Sequence, residues 1–206
     1  MSLVKLLFYI SIISSALPVL VNVIYFKSIS FNTSDFKFWF QLFSFERFLS
    51  NIGILILMFT LKNSIPIYHF SILIEFLIIT KLFDLGKKVR FNYLLWFCAI
   101  VVFLTDLFFT SDLLHLNTFS AILTYSVIVG LGWKYLYNEN SKNEKYISLV
   151  SIFLYYLGSI FYLLFEQHSI SIEKAFDSGF IVLATLSVLF NLSNTYTTWS
   201  LQKKLL

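Results

Sequence analysis

Seven apolar runs, with lysine and arginine confined largely to alternate gaps between them, constrain this chain more tightly than any motif it carries. The runs cover residues 3–26, 37–61, 65–83, 91–110, 116–136, 146–165 and 178–199. Most reach the ~20 residues that an α-helix needs to cross a hydrocarbon core of ~30 Å. If successive gaps lie on opposite sides of a membrane, one side collects Lys27, Lys37, Lys81, Lys87, Lys88, Arg90, Lys134, Lys142, Lys145, Lys203 and Lys204. The other collects only Lys5, Lys62 and Lys174, and Arg47 falls inside a span. Cytoplasmic loops carry the excess of cations, so the N-terminus is expected outside and the C-terminus in the cytoplasm.

Composition points the same way. With 58% hydrophobic and 13% charged residues, the chain has more apolar surface than a soluble domain of 206 residues could hide. A β-barrel would show ~10-residue alternating segments, which are absent. The expected fold is therefore all-α: a polytopic membrane protein, a bundle of about seven transmembrane helices forming one domain over residues 1–206. The net charge of +4 follows from the basic loops, so direct nucleic-acid binding is not expected. Trp39, Trp96, Trp133 and Trp199 fall at the expected cytoplasmic ends of their helices, as an interfacial aromatic belt would. The single cysteine, Cys98, excludes an internal disulfide and reads as a small buried apolar residue.

Two runs need interpretation. The first has Lys5 ahead of an apolar stretch and Ser14-Ser15-Ala16 in a cleavage-like position, the pattern of a signal peptide. It is read here as a retained span that Pro18 kinks or divides. The second carries Glu46 and Arg47 near its middle, and the charge asymmetry of the loops requires it to cross nonetheless.

Charges inside spans are where function is expected, because each costs at least ~2.5–3.5 kcal/mol to insert unless it is satisfied. Glu46, Ser50 and Gly53 recur at i, i+4 and i+7, with Arg47 and Asn51 on the adjoining strip. Tyr68, Ser71 and Glu75 recur on the third span, so an Arg47–Glu75 pair across the hairpin is geometrically available. Such a pair either fixes helix register or tunes a carboxylate that binds a proton or cation. Ser148, Ser151, Tyr155, Ser159, Tyr162 and Glu166 follow one face of the sixth span. Ser187, Asn191, Asn194 and Thr198 follow one face of the seventh, and Asn117, Ser120 and Thr124 mark the fifth. These stripes are interhelical glue singly, and together either a polar core or a hydrated cavity.

His69, His115 and His168 fall at the outer face with Asp106, Asp112, Glu166, Glu173 and Asp177, but at no recognised metal spacing. They read as what remains where cations are excluded, and no metal or cofactor is expected. Gly130, Gly132, Gly158 and Gly179 are read as close helix contacts. There is no GxSxG, HExxH, P-loop or dinucleotide turn. The last span has no lysine from Phe180 to Thr198 for a retinal Schiff base. An intramembrane hydrolase built on His69, Glu75 and Asp106 remains a third-rank reading.

The stretch IYHFSILIEF at residues 67–76, LNTFSAILTYS at 116–126 and an Asn-containing last span before Lys203-Lys204 carry a resemblance. They resemble a group of small Phe-, Ile- and Lys-rich bacterial membrane proteins. In size and multi-span character the chain is similar to the accessory membrane proteins encoded beside type VI-B CRISPR effectors. That resemblance implies a non-enzymatic accessory or regulatory protein of the bacterial inner membrane, pore-forming in one version and linked to antiviral defence. A cytoplasmic protein partner would touch Lys87, Lys88, Arg90, Lys203 and Lys204, and a wide pore would require a homo-oligomer. The alternatives are a small-solute or ion transporter or channel using Arg47, Glu75 and the polar stripes, and a lipid-modifying enzyme.

Overall fold

The computed structural model describes residues 3–25, 32, 35–60, 65–84, 89–109, 118–138, 144–168 and 173–203. Among these, every regular element is an α-helix: α1 (Leu3–Ser14), α2 (Ala16–Ile24), α3 (Phe36–Thr60), α4 (Ile65–Asp84), α5 (Val89–Phe109), α6 (Thr118–Asn138), α7 (Glu144–His168) and α8 (Glu173–Lys203). Each apolar run forms one helix, except the first, which forms two. Among the described residues, five stretches are long and apolar enough to cross a membrane: Leu6–Ile24, Phe36–Thr60, Phe119–Tyr137, Tyr146–Leu164 and Phe180–Lys203. The shorter apolar stretch Tyr93–Phe108 lies in α5. This is the architecture of a multi-pass helical membrane protein.

Pro18 divides the first run as its chemistry requires. Ser15 breaks the helix and its N–H donates to Ile12 O at 3.1 Å, three residues back instead of four. Pro18 is then the third residue of α2, within the first turn, where an N–H has no helical acceptor anyway. The serines finish the break: Ser11 Oγ donates to Phe8 O, Ser14 Oγ to Ser11 O and Ser15 Oγ to Ile12 O. Bonding back to carbonyls in this way bends helices.

The chain falls into two compact units. One comprises residues 1–29 and 128–206, and the other residues 30–127. In the first, α8 is central and packs against α1, α2 and α7. The α7–α8 hairpin is antiparallel: Ser148 Oγ bonds Thr197 Oγ1, and the Tyr155 and Phe190 rings stack at 5.0 Å. Further along, a Cβ placed on Gly158 would collide with Leu186 Cδ1. By contrast α1 and α2 run parallel to α8. Asn191 Nδ2 donates to Ser11 O at 3.1 Å and Ser14 Oγ at 2.8 Å, and Gln202 Nε2 donates to Asn22 Oδ1 at 3.1 Å. The Ser11 carbonyl is available to Asn191 because Ser15 N–H has turned to Ile12.

In the second unit α4 is central, packed between α3 and α5. Asp35 caps α3, its carboxylate accepting the Lys37 N–H at 3.2 Å. Trp96 Nε1 on α5 donates to Thr80 Oγ1 on α4 at 2.8 Å, and Lys81 lies 5.0 Å from the Trp96 ring centre and 5.4 Å from that of Tyr93. These contacts tie the end of α4 to the start of α5.

Large apolar side chains point outward throughout, including Ile13, Leu49, Phe97 and Phe108, each more than three-fifths exposed. In a protein that crosses a bilayer such faces meet lipid. That explains a departure from expectation: Cys98 is exposed, because it shares the outer face of α5 with Leu94, Phe97 and Val101. Gly130 departs too. Among the described residues, a Cβ there would meet nothing within 4 Å.

Candidate functional site

The α3–α4 hairpin brings together the charges that the two strips place near mid-membrane. Glu46 lies ten residues into α3, roughly 15 Å along its axis at ~1.5 Å per residue, about half the depth of a hydrocarbon core. Close approach is permitted at Gly53, where a Cβ would collide with Ile67 Cδ1 of α4. The face marked by Glu46, Ser50 and Gly53 is thus the α4-facing face of α3.

Arg47 Nη1 donates to Glu75 Oε1 at 2.8 Å, with the side chains 13% and 4% exposed. Glu46 Oε1 accepts two hydroxyl protons, from Ser50 Oγ one turn on at 2.6 Å and from Ser71 Oγ of α4 at 2.9 Å. Ser71 Oγ also lies 3.5 Å from Glu75 Oε1. A hydroxyl has one proton, and the shorter contact commits it to Glu46. Glu46 Oε2 is buried and has no hydrogen-bond partner among the described residues. The result is a connected group of two carboxylates, one guanidinium and two hydroxyls inside a predominantly apolar hairpin.

Other expected residues are placed as follows. Asn51 is half-buried in α3. Tyr68 is exposed, so the polar strip on α4 begins at Ser71. His69 is fully buried near the start of α4. Asn191 and Asn194 are buried in the first unit, with Asn191 bound to α1, while Tyr155 is half-buried against Phe190. Within that unit Ser148 and Asn191 bond across helices, while Ser151, Ser159 and Thr198 bond carbonyls of their own helices. A groove of about 400 Å³ between α7 and α8 is lined by Leu154, Leu157, Gly158, Phe161, Tyr162, Val182 and Leu186, a mainly apolar set. Lys203 lies over the Trp199 ring at 5.1 Å. Lys87, Lys88, Lys204 and His115 lie outside the described residues, as do the side chains of Arg90 and His168.

Asp106 Oδ2 accepts the Ser120 N–H at 2.8 Å and so caps the first turn of α6, while Glu75 is held by Arg47. The two acids thus bond different partners, Ser120 and Arg47. No group of three or more His, Cys, Asp or Glu suited to a metal occurs among the described residues.

Reasoning from sequence missed the Asp106 cap, the Gln202–Asn22 bond and the Trp96–Thr80 bond. It also missed Lys37, expected in a cytoplasmic gap but buried in the first turn of α3. A signal existed for one of these: Asn191, Asn194, Thr198 and Gln202 continue a single face at offsets 0, 3, 7 and 11.

The chain matches no protein-family model, and comparison with curated proteins and with solved structures gives no significant match.

Proposed function

We propose that this chain is a seven-span protein of the bacterial inner membrane, N-terminus outside, that passes a small cation by way of the α3–α4 hairpin. The observation that carries the reading is the buried Glu46–Arg47–Glu75 group. Two carboxylates against one guanidinium make a group that is neutral only when one carboxyl carries a proton. Intramembrane ionisable residues are retained at such cost mainly where they lie on ion or proton pathways. A group serving only to join two helices would reach neutrality with one acid and one base.

An odd number of spans has its own support. Helices α1 and α2 run parallel to α8, and a chain whose crossings alternate in direction has parallel first and last spans only if their number is odd. Seven is such a number, and the cation-rich gaps then face the cytoplasm.

Leak of protons, alkali cations and small neutral solutes from proteoliposomes tests the proposal, comparing wild type with Glu46→Gln at several pH values. Flux of a cation that is pH-dependent and lost in the variant is expected. Vesicles that stay tight around a well-folded wild-type protein would overturn the reading and favour the partner-dependent accessory role that the resemblance implies.

A further inference from the structure

We infer that the cation is a proton and that Glu46, not Glu75, is the group that takes and releases it, at Oε2. This rests on the translocation reading above and names its substrate.

The two carboxylates differ in what holds them. Glu75 Oε1 accepts a bond from the Arg47 guanidinium at 2.8 Å, which ties α3 to α4. Glu46 is held through Oε1 alone, by the hydroxyls of Ser50 and Ser71. Those two bonds fix the carboxyl plane from its own helix and from α4, yet leave Oε2 unengaged among the described residues, in a side chain 8% exposed. A carboxyl held rigidly by one oxygen, with the other unengaged, can gain and lose a proton without losing its place. The charged groups facing it are Arg47 on its own helix and Glu75 on α4. His69, two residues before Ser71, lies roughly 200° round α4 from that serine.

Charge and ligand count favour a proton over a metal cation. One proton on Oε2 brings Glu46, Arg47 and Glu75 to neutrality. Hard metal cations gather several oxygens, 6–8 in the case of Ca²⁺. Here both hydroxyls point their protons at Oε1, Glu75 Oε1 is taken, and a guanidinium stands within the group. The chemistry balances simply: an O–H bond forms at Oε2 as the proton arrives and breaks as it leaves, with no redox step.

Infrared difference spectroscopy of the full chain in lipid, titrated with acid, reads the event directly. A carboxylic C=O band should grow as pH falls, persist in Glu75→Gln, and vanish in Glu46→Gln. Should Glu46→Gln fail to fold, Glu46→Asp decides the matter, because it keeps a carboxyl and should shift the band without abolishing it. No such band in wild type, a band untouched in both Glu46 variants, one lost in Glu75→Gln alone, or one erased by exchanging potassium for sodium would overturn the assignment. Tight vesicles with a titrating Glu46 band would instead refute translocation while leaving the proton site intact; conducting vesicles without that band would do the reverse.

Discussion

Arg47 Nη1 lies 2.8 Å from Glu75 Oε1, across two antiparallel helices and with both side chains largely withdrawn from the surface. Residues 28 positions apart are joined because the α3–α4 connection is short and both residues stand near the middle of their helices. Next to this bond, but not part of it, Glu46 accepts from a serine on each helix. Structural anchoring and proton chemistry are thus divided between adjacent acids.

Breaking the pair from one side leaves a buried charge without its partner. Arg47→Ala should destabilise the protein by about 3–5 kcal/mol. The double variant Arg47→Ala/Glu75→Ala should be milder than Arg47→Ala alone, with a coupling of about 0.5–3 kcal/mol. Denaturant unfolding in detergent completes the cycle, and strictly additive losses would show that the two side chains do not stabilise each other.

Replacing Asn191 with leucine removes both of its bonds to α1. At ~0.6 kcal/mol for a typical bond between membrane helices, the loss should be roughly 1 kcal/mol. It should appear as a lower unfolding midpoint. A larger loss would mean that the broken end of α1 depends on Asn191 for its geometry as well.

Asp106 supplies an acceptor to the first turn of α6 from a neighbouring helix. Asp106→Ala should cost about 0.5–2 kcal/mol, the range for a lost cap. Asp106→Asn, which keeps an acceptor oxygen, should cost less. Thermal unfolding of the two variants side by side separates a cap from a catalytic acid, since a cap predicts unchanged proton flux in both.

The glycines sort by what surrounds them. Gly130→Ala meets nothing among the described residues and should raise stability by up to about 1 kcal/mol through helix propensity alone. Gly158→Leu drives a side chain into Leu186 and should cost about 1–3 kcal/mol. Gly53→Ala falls between, because the tip of Ile67 must move aside.

Orientation is open to reporter fusions. A phosphatase that works only outside the cytoplasm should be inactive when joined after Leu206, and a fluorescent protein that folds only in the cytoplasm should be bright there. The opposite pair of results would reverse the assignment of the two faces.

The Arg47–Glu75 pair was legible in the sequence because helical spacing and a short hairpin together bring two mid-span charges into reach. The link from Glu46 to Ser71 was half-legible: both residues sat on recognised polar strips, but which oxygen each serine would reach depends on rotamers that spacing does not encode. Asp106 was misjudged because an outer-face acid near a helix end looks the same whether it faces solvent or caps the next helix. Cys98 was expected inside because hydrophobicity marks burial only where water is the solvent; in a bilayer an apolar residue gains nothing by facing inward. The parallel docking of α1 and α2 on α8 joins residues about 180 positions apart, and no local pattern reports it.

Proton uptake into liposomes carrying a pH-sensitive dye in their lumen tests the central claim most directly, with wild type, Glu46→Gln and Glu46→Asp compared at equal protein content. An imposed proton gradient should acidify the lumen of wild-type vesicles, leave Glu46→Gln vesicles at the rate of empty liposomes, and give Glu46→Asp an intermediate rate. Equal acidification by wild type and a folded Glu46→Gln variant would contradict the account, because protons would then cross without the one carboxyl assigned to carry them.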